Sequence, residues 1–143
     1  MKLIDKLNSH LCLHLAKITT ECDDVDQIKV FLDEEKIDSA TDKSVSRYQI
    51  LFNYLHFSVT SETYHKCLPG EIYSGRNFRM YQKSRYIDAV ELMVGIKFGQ
   101  SHAWHGELFH YQLVCSESIL DVTSVGHPQI SLKAGKMNPR ANQ

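Results

Sequence analysis

Ser101-His102-Ala103-Trp104-His105-Gly106-Glu107-Leu108-Phe109-His110-Tyr111-Gln112-Leu113-Val114-Cys115 is the most strand-like stretch of the chain. Read with a period of two, it presents His102, Trp104, Leu108, His110, Gln112 and Val114 on one face. Ala103, His105, Glu107, Phe109, Tyr111, Leu113 and Cys115 fall on the other. Neither face is purely apolar, which places a bend near Gly106 or Tyr111. Cys115-Ser116-Glu117-Ser118 reads as a turn, and Ile119 to Ser124 as the returning strand. Gly126-His127-Pro128 breaks the pattern, and Gln129 to Leu132 supplies a last short strand. The C-terminal third is therefore a small antiparallel sheet.

Working outward from it, the preceding residues match the helical period better. Leu3, Leu7, Leu11, Leu15 and Ile18 predict a helix over 3–21, with Cys12 a small core hydrophobe beside the stripe. Asp23 and Asp24 cap a second helix running to about Lys36, with Val25, Ile28, Phe31 and Leu32 inward. Asp42 or Ser44 caps a third, with Val45, Tyr48, Leu51, Phe52 and Leu55 inward. Residues 61–75 dissolve into turn chemistry around Pro69-Gly70 and Ser74-Gly75. A fourth helix is expected from Ser84 to Val94, with Ile87, Val90 and Val94 on its packed face. The fold class expected is α+β: three N-terminal helices, a loop holding Cys67, one more helix, then the sheet. Residues 1–132 form a single domain and 133–143 a loose tail.

Bulk properties fit one ordinary globular domain, with 143 residues, 43% hydrophobic and 23% charged. A formal net charge of −1 offers no electrostatic case for nucleic acid or an anionic membrane. No apolar run approaches the ~18 residues of a membrane span, and the N-terminus carries no apolar signal core. The expectation is a cytoplasmic protein, or one delivered without a cleavable signal peptide. The four cysteines, Cys12, Cys22, Cys67 and Cys115, form no CxxC pair, so free thiols are expected rather than a disulfide framework or a zinc knuckle.

Chemistry is suggested by three residues in order: Cys67 in a loop, His102 in a strand, Asp121 in the next strand. A thiol attacks acyl carbon as thiolate, and a neighbouring imidazole is the usual means of forming it. A carboxylate on the far ring nitrogen fixes the tautomer and supports the imidazolium. His102-Ala103-Trp104 with Leu120-Asp121-Val122-Thr123 resembles the His and Asp segments of the transglutaminase-like and papain-like cysteine enzymes, a superfamily of transglutaminases, cysteine peptidases and glutamine deamidases. The resemblance covers residues 67 to 124. It implies Cys67 as nucleophile, His102 as base and acid, Asp121 as orienter and Trp104 as a wall of the substrate site, with a peptide or protein amide as substrate and no cofactor. The superfamily's cysteine opens a helix, whereas Cys67 is followed by Leu68-Pro69-Gly70.

Two other readings stay open. One is a non-enzymatic protein-binding module, such as an inhibitor, immunity protein or regulatory partner. The other is a metal site built on His102 and His105, with His65, Cys67, His110, Cys115 and His127 as further ligands. Positions 102 and 105 of a strand point to opposite faces, which argues against that pair.

Overall fold

The computed structural model describes residues 2–20, 26–34, 44–64, 68–95 and 108–136. It is mostly β, and the three N-terminal helices of the α+β expectation are not there. Helix α1 is a short Leu3–Ser9 segment, followed by strand β1 (Leu13–Thr19), β2 (Gln27–Glu34) and the long β3 (Ser44–Ser61). A single 3-10 turn (Glu62–Tyr64) leads to β4 (Ile72–Ser74) and β5 (Phe78–Lys83), then helix α2 (Arg85–Val94). Three strands close the chain: β6 (Leu108–Val114), β7 (Ser118–Val125) and β8 (Gln129–Lys136). β8 carries residues 133–136 into the sheet, where Arg47 pairs with Lys133 and Ser44 with Lys136, although they were expected in the tail.

The error in the first half has a physical source. In β2 the buried side chains are Ile28, Val30 and Leu32, a period of two. Phe31 on the opposite face supplies the extra apolar position that a helical template needs. β3 repeats the ambiguity: Tyr48, Ile50 and Phe52 are buried, while Val45, Leu51 and Leu55 complete a false helical stripe. β-branched and aromatic residues fit a pleated surface better than a helix.

All strand pairs are antiparallel, in the order β1-β2-β3-β7-β6-β5-β4, with β8 also on β3. β3 is the hinge of this arrangement. Its first half lies between β2 and β8, with Ile50 opposite both Val30 and Ile130. Its second half pairs with β7, from Tyr54 with Ser124 to Ser61 with Ser118. β7 and β8 thus follow one another down β3, interrupted by Gly126, His127 and Pro128. Side chains from both halves meet in one core: Ile28, Leu32, Ile50 and Phe52 with Phe78, Leu113, Leu120 and Val122. The ring of Phe52 lies 5.8 Å from that of Tyr111.

α1 closes one end by inserting Leu7 into this core. The Oδ1 of Asn8 accepts three consecutive backbone N–H groups, from Arg76 (2.9 Å), Asn77 (2.8 Å) and Phe78 (2.8 Å). Asn77 answers by donating its Nδ2 to the carbonyls of Leu7 (2.9 Å) and His10 (2.8 Å). The turn needs Gly75, whose φ is +98° and where an added Cβ would sit 2.1 Å from the Phe78 carbonyl oxygen. Among the described residues no helix is long and apolar enough to cross a membrane.

Candidate functional site

The sheet from β3 to β5 has an apolar face on the core and a second, polar face under α2. Register decides which residues share that second face. Tyr81 sits opposite His110 and Arg79 opposite Gln112; Gln112 sits opposite Asp121, and Asp121 opposite Ser58. One residue in two along each strand therefore assembles a polar row, although the residues are far apart in sequence.

Ser84 brings the helix to this row. It stands between the end of β5 and the first turn of α2, with an extended backbone (φ −134°, ψ 125°), and its Oγ accepts the N–H of Ile87 at 3.1 Å. This is an N-cap, which satisfies a first-turn donor and puts the oxygen at the positive end of the helix. The same Oγ lies 2.7 Å from Nδ1 of His110, and Nε2 of His110 lies 2.7 Å from Oδ1 of Asp121. An ionised carboxylate only accepts, so Nε2 carries the proton and donates to Asp121. In the neutral ring the lone pair of Nδ1 then faces the serine hydroxyl, which donates to it. The direction of every hydrogen along the chain Ile87, Ser84, His110, Asp121 follows.

The surroundings hold this arrangement in place. Gln112 Nε2 donates to the same Asp121 oxygen at 3.0 Å, and Gln112 Oε1 accepts from Arg79 (3.2 Å) and from the Tyr81 hydroxyl (3.0 Å). Because guanidinium is donor-only, Arg79 fixes which way the amide points. His110 is only 2% exposed. Its ring is stacked on Tyr81 (centroids 4.2 Å, interplanar 18°) and covered by Tyr86 (4.8 Å, 34°). Burial pushes the Tyr86 phenol up to about 12. Beside the site, Glu71 accepts the backbone N–H of Arg85 and of Leu68, each at 3.2 Å, and Arg85 Nε donates to the carbonyl of Pro69 at 3.2 Å. The loop residues 68–71 are thereby tied to the corner where Ser84 stands.

Of the residues expected to form a triad, Asp121 is in this site, and its imidazole partner here is His110. Cys67, His102 and Trp104 lie outside the described residues, as do His65 and His105 of the metal reading. The other members of that reading are engaged singly. His127 Nδ1 shares a hydrogen bond with the Tyr111 hydroxyl, and Cys115 is a free, buried thiol pushed up to about 12 by desolvation. Among the described residues no three His, Cys, Asp or Glu side chains are grouped to hold a metal ion. Cys12 is free and half-buried. Ser84, His110, Gln112 and Tyr86 are the residues that spacing alone did not single out. Ser84 was visible only as the start of a helical period, Gln112 only as the polar half of an alternation, and His110 as one of several possible metal ligands rather than as the partner of Asp121. Set against protein-family models, curated proteins and solved structures, the chain finds no match in any of the three.

Proposed function

We propose that the protein is an acyl-transfer enzyme that cleaves an amide or ester, with Ser84 as nucleophile, His110 as general base and acid, and Asp121 as orienter. The observation that carries this reading is the continuous chain of two 2.7 Å contacts from Ser84 Oγ through His110 to Asp121. It keeps the acyl-transfer chemistry and the carboxylate read from the sequence, and replaces the histidine and the nucleophile. As Oγ attacks the carbonyl carbon, Nδ1 takes the serine proton; Nε2–H and Asp121 hold the resulting imidazolium. That proton then passes to the leaving group, and water resolves the acyl-serine by the same steps in reverse. The first turn of α2 favours negative charge on the attacking oxygen.

The test is a fluorophosphonate probe applied to the full chain, with the modified residue located by peptide mass spectrometry. The expected result is phosphonylation of Ser84, absent in Ser84→Gly, a residue tolerated at an N-cap. Asp121→Asn retains an acceptor without the charge, and should slow labelling by about 10²–10⁴-fold. A parallel arm uses iodoacetamide at about pH 6, where an ordinary thiol is protonated. Selective alkylation of Cys67 with Ser84 unlabelled would return the nucleophile to the cysteine of the transglutaminase-like reading.

A protein-binding role is favoured by a separate observation. Leu92 and Met93 are 84% and 62% exposed on the outer side of α2, adjacent apolar side chains such as interaction surfaces carry. Failure of both probes would leave this as the standing account.

A further inference from the structure

Four contacts link five rings across the polar face: Tyr73 to Tyr81 (5.2 Å), Tyr81 to His110 (4.2 Å), His110 to Tyr86 (4.8 Å) and Tyr86 to His56 (5.7 Å). The chemistry above uses one of them. Tyr86 is the ring that touches both imidazoles. Its backbone belongs to the first turn of α2, two residues beyond Ser84. Its hydroxyl lies 2.6 Å from His56 Nδ1 and 3.2 Å from Ser58 Oγ. A half-buried phenol that stays neutral has one proton to place, and these two neighbours allow two placements. With His56 neutral, Ser58 donates to the Tyr86 oxygen and Tyr86 donates to Nδ1. With His56 protonated, Nδ1–H donates to the Tyr86 oxygen and Tyr86 donates to Ser58. The heavy atoms need not move between the two placements.

We propose that Tyr86 and His56 are a positioning pair for His110, and that the protonation state of His56 sets how readily His110 takes a proton. A cation at His56 stands behind the Tyr86 ring, which lies against His110, and like charges on either side of one ring are not gained independently. The groups facing His56 are Tyr86 from α2, Ser58 from its own strand and Thr123 from β7, whose hydroxyl accepts the His56 backbone N–H and donates to its carbonyl, both at 3.1 Å. Those facing His110 are Ser84 and Tyr86 from α2, Tyr81 from β5 and Asp121 from β7. Asp121 favours a cation at His110, and the inversion at Tyr86 communicates between the two imidazoles. The consequence for catalysis rests on the reading of His110 as base; the coupling of the two rings does not.

The experiment is an NMR titration of the imidazole resonances in the full chain, compared among wild type, Tyr86→Phe, His56→Gln and Ser58→Ala. Tyr86→Phe keeps the stacked ring and removes the relay. Ser58→Ala removes the second placement of the proton, and stands in if His56→Gln does not fold. In wild type, His110 should show two inflections, the second matching that of His56. Each variant should leave one, with the His110 midpoint displaced by about 0.5–1 pH unit, a roughly three- to tenfold change in proton affinity. The acid limb of Ser84 phosphonylation should be shallower in wild type than in the variants. A His110 titration indifferent to all three substitutions overturns the pair, even if Ser84 labels normally. Coupling that persists while Ser84 is never labelled supports the pair and removes the hydrolase reading.

Discussion

Three backbone N–H groups aimed at one oxygen are an anion-seeking arrangement, and here the amide of Asn8 occupies it from inside the chain. Asn8→Ala should cost about 2–4 kcal/mol, because the donors of Asn77 and Phe78 are partly buried and lose their acceptor. Urea denaturation measures it. Asn8→Asp should behave differently. A carboxylate on three N–H groups is held in its charged form, so its folded pKa falls below the ordinary value near 4. The stability this adds should be present at pH 7 and should disappear as pH drops through the carboxylate range. Gly75→Ala belongs to the same turn: positive φ and a Cβ against the Phe78 carbonyl make a loss of about 1–3 kcal/mol the expected outcome. A variant at Gly126, which is also at positive φ but open around its Cβ, should pay for backbone strain alone.

At the scale of elements, β3 does the most. Ile50 lies between Val30 and Ile130 and is fully buried, whereas Val59, on the half that pairs with β7, is 50% exposed. Ile50→Ala should cost about 2–5 kcal/mol, and Val59→Ala well under about 1 kcal/mol, by thermal or chemical denaturation. The elements that could be read from the chain were those with local punctuation. Ser84 and Gly95 bracket α2 as cap and left-handed terminus, and the turn at 115–118 and the break at 126–128 frame β7. The elements that could not were the short β4 and β5, the first of which falls in the stretch expected to be turns, and β1, β2 and β3, where apolar residues on both faces satisfy two periods at once. Only the partner strand chooses between them, and that partner is distant in sequence. The site follows the same rule. Asp121 was legible as a carboxylate in a strand. Its histidine was not, because Gln112 opposite Asp121 and His110 opposite Thr123 are facts of register, which a one-residue slip would reverse. Ser84 was legible as a cap, while its approach to His110 depends on where α2 lies over the sheet.

For the molecule as a whole, alkali should be more damaging than its near-neutral net charge suggests. Burial pushes the phenols of Tyr48, Tyr86 and Tyr111 to about 12 and the Cys115 thiol to about 12. In an unfolded chain these groups ionise near 10 and near 8.5. The folded state therefore holds more protons than the unfolded state above those values. Stability should be level below about pH 8.5 and fall as pH rises toward 12. Phenolate absorbance should report it: Tyr48, Tyr86 and Tyr111 should titrate late and together with the loss of structure.

Ser44 and Lys136 face each other across β3 and β8 although 136 − 44 = 92 positions separate them along the chain. At translation rates of about 5–20 residues per second, the edge of β3 that β8 will cover waits roughly 5–20 s after emerging from the ribosome. During that wait the nascent chain displays a long apolar strand with an open ladder, the kind of surface that recruits chaperones or seeds inclusion bodies. Production yield should therefore depend on how fast the last strand is delivered, and slowing translation should harm this chain more than lowering its final stability does.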